Sequence, residues 1–412
     1  MSSGNVNMID TRKKEIRRYM LLLCIVCFCI CLVNYRGRVT AYNTTMLALS
    51  YEYGFTSRSL LGTLYHGLNA ILPIDIMQYN AVLVFALVAT GLIFIFLMYF
   101  VYKCLCRLEG KSLKYAEYAL MLLSICIISS FTFANNYLRV DIFMIATSLA
   151  AVLAMFNKKT EWLTIVFSAI GVMFHQGFVL MYFNIILVLL FYKWMSEKNK
   201  VKYAILFFAS FIVGSALFVW FELLSRSKGT QIIDTILQDA TNLSNRGIYH
   251  TTLLYHEVLG VDVSGSETSF VHMNHVQLIL FAIACLPVII YIFRFFIILI
   301  KKGEGLPAKL KYLAGLVGSL TIMPDMLFKV DYGRWVMAVA AYYLIVIVGM
   351  AVFEDKLVIE QIEKDYIMMK AHPYVIILCI MPIIIAPFLD VDIDILTKNW
   401  QRWFQSKSLI FY

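Results

Sequence analysis

Charged side chains are scarce in this chain, and their scarcity excludes an ordinary soluble protein. Asp, Glu, Lys and Arg supply only 15% of its 412 residues, whereas 61% are hydrophobic. Soluble domains carry about 25% charged and about 45–50% apolar residues. The mean hydropathy is +0.78, and apolar runs of about 20 residues, enough to cross the hydrocarbon core as a helix, recur from end to end. These patterns predict an all-α, polytopic bundle of transmembrane helices, a single integral membrane domain over residues 1–412.

Phosphate cradles and metal-ligand spacings are also missing. The loops assigned below to the cytoplasm contain no glycine-rich phosphate-binding motif, which argues against nucleotide-driven work there. Four histidines in or beside one polar segment match no established zinc spacing: His250, His256, His272 and His275. We therefore expect no metal site and no cofactor.

Cysteine is absent from the loops that we assign to the outside. All nine cysteines fall in apolar runs or in predicted cytoplasmic loops, so we expect no disulfide framework. The apolar run 19–35 follows a basic segment, as in a secretory signal, but no small-x-small cleavage site comes after it. We take it as the first span, with the N-terminus in the cytoplasm.

The apolar runs predict about eleven spans. They cover residues 19–35, 80–102, 116–134, 141–157, 161–175, 177–194, 203–224, 276–300, 312–328, 335–353 and 374–390. With this topology, 23 of the 35 Lys and Arg residues lie in or beside cytoplasmic segments, as the positive-inside rule requires. The net charge of +9 reflects that rule and predicts no nucleic-acid partner. The fifth and sixth runs lie so close together that a tight hairpin and a broken helix both remain open.

Two long segments, 36–79 and 225–275, then face outward, and we expect any chemistry on that side. The first contains a helical pattern at 51–72 that is too polar to span and too apolar to leave the membrane. It predicts an interfacial or re-entrant helix with a Thr-Ser pair as its N-cap. The second is a large extracytoplasmic loop in which residues 231–243 predict an amphipathic helix. A loop of this length suits a lid or a sugar-binding surface.

Arg58, Gly62 and His66 follow one another at helical spacing within the first outer segment. Residues at i, i+4 and i+8 stack on one face of a helix. Gly62 would leave a notch in which the guanidinium of Arg58 grips a phosphate with two hydrogen bonds. An interfacial anchor, with Arg58 on lipid headgroups, fits the spacing equally well.

Arg139, Asp141 and His175 occur at predicted outer ends of spans. Asp141 can cap the helix that follows it, and Arg139 can pair with Asp141 across two residues. His175 is surrounded by apolar residues, where a lone histidine is more often a hydrogen-bonded packing residue than a base. It is also one of the few groups near the outer face that can accept a proton.

The stretch KVDYGRW, residues 329–335, concentrates charge between two apolar runs. Ionisable groups at membrane depth are costly and mark functional sites. Asp331 and Arg334 are therefore candidates for one wall of an anionic-substrate site, with a self-neutralising ion cluster as the alternative. Pro324 is expected to open the preceding helix.

Four short motifs in this chain form a recognisable combination. They are GFTSRSLLGT at 54–63, the Arg-x-Asp start of a span at Arg139, HQGF at 175–178, and Asp-x-Gly-Arg-Trp from Asp331. Together they resemble bacterial membrane proteins of the O-antigen or capsular repeat-unit polymerase type (Wzy-type), including the EpsG-like group. The resemblance extends over most of the chain but rests on these short motifs.

The resemblance implies a glycosyltransferase of the bacterial cytoplasmic (inner) membrane. Such an enzyme polymerises undecaprenyl-diphosphate-linked oligosaccharide repeat units into O-antigen, capsule or exopolysaccharide at the extracytoplasmic face. The residues that would bind the diphosphate are Arg58, Arg139 and Arg334. Those that would accept the proton of the acceptor hydroxyl are His175, His66 and Asp331. The donor is already activated on its lipid, so no nucleotide or metal is required. A flippase and a chain-length regulator are the protein partners that the resemblance suggests.

Other functions remain open at this point. A polyprenyl-phosphate-sugar-dependent, GT-C-like glycosyltransferase commonly places acidic residues in its first outer loop, where this chain offers only Glu52 and Asp75. A polysaccharide transporter or flippase should carry charges deep within several spans, and only Glu222 and Asp325 come near to that. We find no internal repeat of the kind that many transporters show. The paired His and Arg motifs usual in membrane acyltransferases are not evident.

Overall fold

A computed structural model describes residues 3–34, 39–132, 137–224, 230–244, 275–324 and 332–385. These residues are helical or lie in short connections, and no strand occurs among them. The expected all-α architecture is therefore confirmed for this part of the chain. In chain order the α-helices are α1 Ser3–Asn34, α2 Ala41–Ala48, α3 Ser59–Ile71, α4 Tyr79–Leu105, α5 Gly110–Thr132, α6 Val140–Ala154, α7 Leu163–Phe174, α8 Phe178–Met181, α9 Phe183–Ser196, α10 Lys200–Val219, α11 Thr230–Leu243, α12 His275–Lys302, α13 Gly305–Val317, α14 Tyr332–Val352, α15 Lys356–Ala371 and α16 Tyr374–Ile385.

Helix length and apolar character make this a membrane-embedded protein. Four described helical segments are long and apolar enough to cross a bilayer: Tyr79–Leu105, Lys200–Glu222, Ala282–Lys302 and Arg334–Val352. The last is 72% buried over its most apolar window, against 22–28% for the other three. α14 is therefore a central helix, whereas α4, α10 and α12 expose large apolar side chains on their outer faces. Shorter apolar helices, among them α6, α7 and α9, accompany it.

Charged residues cluster at the two ends of the bundle. Contacts at the beginning and at the end of α6 and α14 show which residues share each end. Asp141, in the first turn of α6, accepts a hydrogen bond from Arg334 in the first turn of α14. At their other ends, the Met155 carbonyl after α6 accepts from Lys193, whose ammonium also lies over the ring of Phe353 after α14. We call the end with Asp141 and Arg334 the arginine end, and the end with Lys193 the lysine end.

The lysine end contains two buried ion clusters. The Glu161 carboxylate is fully buried and accepts hydrogen bonds from Lys193 and Lys202. Asp355 caps α15 and accepts from Lys311 at 2.7 Å. Burial alone would raise the pKa of the Asp355 carboxyl, but the hydrogen bond and charge of Lys311 outweigh it and hold that pKa below its ordinary value of 3.8. The two buried carboxylates are tolerated at this end because each is paired with at least one lysine ammonium.

The closely spaced apolar runs 161–175 and 177–194 form a hairpin, and one of its arms is also a broken helix. α7 leads away from Glu161 to His175, and α9 returns to place Lys193 against Glu161, so the pair is a hairpin. The returning arm is broken at Tyr182, between α8 and α9. A Cβ on Gly171 would come within 2.4 Å of the Phe178 ring, so glycine is what lets the two arms pack this closely.

The helix of the ninth apolar run, 312–328, opens before Pro324, as the sequence suggested. α13 ends at Val317, and a 3-10 turn follows over Gly318–Ile322. Side chains take up the carbonyls there: Asn184 donates to the Gly318 carbonyl at 3.0 Å, and Tyr342 donates to the Gly315 carbonyl at 2.9 Å. These bonds replace the helical ones that the turn gives up, as an opened helix in a membrane requires.

The amphipathic helix expected at 231–243 is confirmed as α11. It buries Ile233, Ile236, Ala240 and Leu243 and packs on α2 and α4. The remainder of the 225–275 segment, except for His275 at the start of α12, lies largely outside the described residues. α11 thus fixes one part of that segment against the arginine end.

Candidate functional site at the arginine end

The centre of the arginine end is the carboxylate of Asp141, which two arginines share. Arg139 Nε donates to Oδ2 at 3.1 Å, and Arg334 Nε donates to Oδ1 at 2.9 Å. The Asp141 side chain is 4% exposed, and those of Arg139 and Arg334 are 16% and 20% exposed. The pairing of Arg139 with Asp141 was predicted, but that of Arg334, 193 positions away, was not. Among the described residues, two guanidinium groups thus share one carboxylate in a poorly hydrated place.

Asp141 does not cap α6 as the sequence suggested. The N-cap position belongs to Arg139, which makes no capping bond with its side chain, and Asp141 lies in the first turn. A carboxylate there still interacts favourably with the helix dipole. Its oxygens point instead to the two arginines, because charge-assisted hydrogen bonds to guanidinium are stronger than a cap bond.

α2 connects this ion cluster to Arg58. Asn43 Nδ2 donates to the carbonyl of Tyr137, two residues before Arg139, at 2.5 Å. The neighbouring Tyr42 hydroxyl accepts from Arg58 Nη1 at 3.1 Å. Both partners sit on one turn of α2, whose Thr40 cap accepts from the Asn43 amide. The sequence does not predict α2, because eight residues with little amphipathic pattern give no periodic signal.

Gly62 does not form the open notch that the spacing predicted. A Cβ at this position would lie 1.8 Å from the Leu49 carbonyl oxygen and 2.7 Å from that of Leu47. The missing side chain therefore admits the backbone that leaves α2, and no phosphate fits in that space. The expected stack of three residues is also wrong at its start, because Arg58 is the residue before α3 and not part of its first turn.

Backbone strain is concentrated beside this site. Arg58 and Leu138 both adopt left-handed backbone conformations, with φ of 65° and 66°. A non-glycine residue pays about 1–2 kcal/mol for this conformation. The predicted Thr-Ser cap of α3 is replaced by Arg58 in that conformation, while Thr56 bonds to the hydroxyl of Ser59 instead. The left-handed conformation of Arg58 directs this residue towards α2, and that of Leu138 turns the chain sharply before Arg139.

His175 lies at the C-terminal end of α7 and is buried, with 7% of its surface exposed. Its Nδ1 accepts a hydrogen bond from the Gly177 amide at 2.8 Å. A neutral His175 therefore carries its proton on Nε2 and acts from that atom as a hydrogen-bond donor. The next residue, Gln176, accepts from the Ser57 hydroxyl, which ties the HQGF motif to the residue before Arg58.

His66 belongs to a separate cluster in the same region. Its side chain is 9% exposed, and Nδ1 lies 3.6 Å from Glu52 Oε2. Nε2 is buried with no hydrogen-bond partner among the described residues. The edge of the Tyr53 ring meets the imidazole, and the Tyr53 hydroxyl donates to Asp239 of α11 at 2.9 Å. No hydrogen bond or ion pair recorded among the described residues joins His66 directly to the Asp141 cluster.

The structure thus brings most of the sequence candidates to one end of the bundle. Arg139 and Arg334 meet at Asp141, Arg58 is connected to them through α2, and His175 is connected to Arg58 through Gln176 and Ser57. Asp331 lies outside the described residues, as do the charged positions 325 and 329. No protein-family model, curated protein or solved structure matches this chain.

Proposed function

We propose that this protein is a membrane glycosyltransferase that polymerises undecaprenyl-diphosphate-linked repeat units into a bacterial surface polysaccharide. The observation that supports the proposal best is the convergence at the arginine end. Motifs from four distant parts of the sequence meet there, with three arginines and one buried carboxylate among the described residues. Several guanidinium groups close together in a poorly hydrated site suit a diphosphate leaving group. The proposal includes about eleven spans, a cytoplasmic N-terminus and residence in the inner membrane.

In the proposed reaction, a hydroxyl of the acceptor sugar attacks the anomeric carbon of the donor glycan. The new glycosidic bond forms as the bond from that carbon to the carrier diphosphate breaks, and the carrier leaves with the electron pair. Arg139, Arg334 and Arg58 would neutralise the charge that develops on the diphosphate. Asp141 would hold Arg139 and Arg334 in place before the substrate arrives, because a shared carboxylate fixes both guanidinium planes.

The acceptor hydroxyl must lose a proton in this reaction. His66 suits a general base, because its Nε2 is buried without a described partner and its Nδ1 faces Glu52, which can stabilise the imidazolium. Asp331 remains a second candidate. His175 presents Nε2–H, so its proposed role is to donate a hydrogen bond to a developing negative charge, and it would serve as a base only after a change of tautomer.

The experiment is a gel of surface polysaccharide from the native host with the gene deleted and then restored. Loss of long chains with single repeats retained supports a polymerase. Restoration with Arg139→Ala or Arg334→Ala should give single repeats only. Arg107→Ala is the matched control, because Arg107 lies at the lysine end and donates to the Phe156 carbonyl, and it should restore the full ladder. An unchanged ladder after deletion refutes the proposal.

A flippase for a lipid-linked glycan is the second candidate, favoured by the opened helix at Gly318. Discontinuous helices at mid-membrane form the substrate sites of many transporters. The same gel separates the two functions. A flippase defect removes even single repeats from the outer face, whereas a polymerase defect retains them.

A further inference from the structure

A groove opens among α9, α10 and α13. Its volume is about 450 Å³, within the range of about 300–1,000 Å³ typical of ligand sites. Its walls are almost entirely apolar and include four phenylalanines, at positions 183, 191, 207 and 211. Phe211 is 47% exposed and Val317 is 41% exposed, so the groove is open towards the surrounding lipid.

The groove has an upper and a lower end. At the upper end, a Cβ on Gly214 would meet the Phe183 ring at 2.7 Å, and the residues that follow them, Ser215 and Asn184, both line the groove. At the lower end, the rings of Phe191 and Phe207 lie 6.0 Å apart, and Ala314 lines the wall there. The upper end faces the arginine end and the lower end faces the lysine end.

The upper end leads to the arginine end over a short distance. Ser148 of α6 donates to the carbonyl of Tyr182, directly before α9. Ser148 is seven residues after Asp141 in the same helix, so the two differ in depth by about 10 Å. α8, which carries Val179 and Leu180 of the groove wall, connects this level to His175. A molecule with its anionic head at the arginines would therefore have the groove below it.

The length of the groove matches part of a long lipid chain. Lining positions on α9 and on α10 each extend over eight residue steps, about 12 Å. A chain that enters from the arginine end therefore passes Ser215 first and Ala314 last.

We propose that this groove binds the polyprenyl chain of the lipid whose diphosphate occupies the arginine end. The inference rests on the proposed function and names the part of the substrate that the arginines do not hold. Because the surrounding lipid is as apolar as the chain, the groove would hold the carrier through van der Waals packing rather than through removal from water. The number of these contacts grows with chain length, while the polar chemistry stays at the arginine end.

The test compares two carriers with the purified full chain in lipid nanodiscs. One substrate is the host's repeat unit on undecaprenyl diphosphate, and the other is the same repeat on a two-isoprene diphosphate. Eight chain bonds extend about 10 Å, so the short chain ends near Ser215 and does not reach Ala314.

Ala314→Phe fills the lower end of the groove. It should raise KM at least about tenfold for the undecaprenyl substrate, because the new ring displaces the chain from its packing contacts, and less than about twofold for the short one. Leu313→Phe is the matched control, since Leu313 is the adjacent residue, is 43% exposed and does not line the groove. It should change neither KM.

Ser215→Phe is a second variant that fills the upper end, and it should raise KM for both substrates. Equal effects of Ala314→Phe and Leu313→Phe would overturn the inference, as would an equal effect of Ala314→Phe on the long and short chains. Either result leaves the polymerase function standing.

If the wild-type protein polymerises neither substrate, the proposed function fails and the groove is tested alone. An undecaprenyl phosphate with a photoreactive group at the end of its chain is then cross-linked to the protein. Labels on α9, α10 and α13 that Ala314→Phe removes support the groove. Labels spread over the lipid-facing sides of α4 and α12 overturn it.

Discussion

The shared carboxylate of Asp141 predicts an unequal response to the loss of its partners. Removing either arginine leaves Asp141 paired with the other. Arg139→Ala and Arg334→Ala should therefore each lower the free energy of unfolding by about 1.5–3 kcal/mol, the value of one hydrogen bond to a charged group. Asp141→Asn instead removes the carboxylate that both guanidiniums bind among the described residues. Removing one partner of a buried ion pair costs about 3–5 kcal/mol, and this change removes the shared partner of two arginines at once.

Stability of the three variants is measured as the free energy of unfolding of detergent-solubilised protein. We expect Asp141→Asn to be the least stable. In the double variant Asp141→Asn with Arg334→Ala, removal of one of the two guanidiniums that share this carboxylate should recover part of the loss, a coupling of at least about 1 kcal/mol between neighbours in one network. The side chains are 4% to 20% exposed, so solvent screening reduces these values only modestly.

The opposite order would refute this reasoning. If Arg334→Ala and Arg139→Ala destabilise the protein as much as Asp141→Asn, or if the double variant shows simple additivity, the three residues do not share one charge balance. Arg334→Lys gives an independent check. It keeps the charge but loses the planar donor fork, so it should be more stable than Arg334→Ala and still less active in the polysaccharide ladder.

Three further predictions concern the parts that position the site. Lys311 holds the pKa of the Asp355 carboxyl below its ordinary value. The stability that this carboxylate contributes is therefore fully present above pH 3.8 and is lost as the pH falls through the lowered pKa. Asp355→Asn retains a good N-cap, so in thermal unfolding from about pH 6 to about pH 3 the midpoints of this variant and of the wild type should converge only at the acid end. Gly62→Ala should destabilise the protein by about 1–3 kcal/mol or more because its Cβ meets backbone, whereas Gly67→Ala in the same helix, with open space around it, should be neutral or stabilising; equal unfolding midpoints would contradict the close approach. Tyr53→Phe removes the hydroxyl that holds α11 and should speed amide exchange in that helix, while Tyr51→Phe removes a hydroxyl with no hydrogen-bond partner among the described residues and should leave exchange unchanged.

Local patterns in the sequence determined the class of this protein and several of its elements. Hydropathy specified a helical membrane protein, because a chain in hydrocarbon must satisfy its backbone within each helix. The period of apolar residues predicted α11, and spacing alone suggested the pairing of Arg139 with Asp141. Each of these properties depends on residues that are neighbours in the sequence or one or two helical turns apart.

Tertiary structure alone decided how the site is assembled. The bond from Arg334 to Asp141 connects residues 193 positions apart, and no local pattern records which helices become neighbours. α2 gives no periodic signal, yet it connects Arg58 to the chain before Arg139. The spacing within one helix predicted an open notch at Gly62, whereas in the structure the backbone that leaves α2 occupies this space. The sequence marks residues that are costly to bury, and the packing of helices selects the partners that make their burial possible.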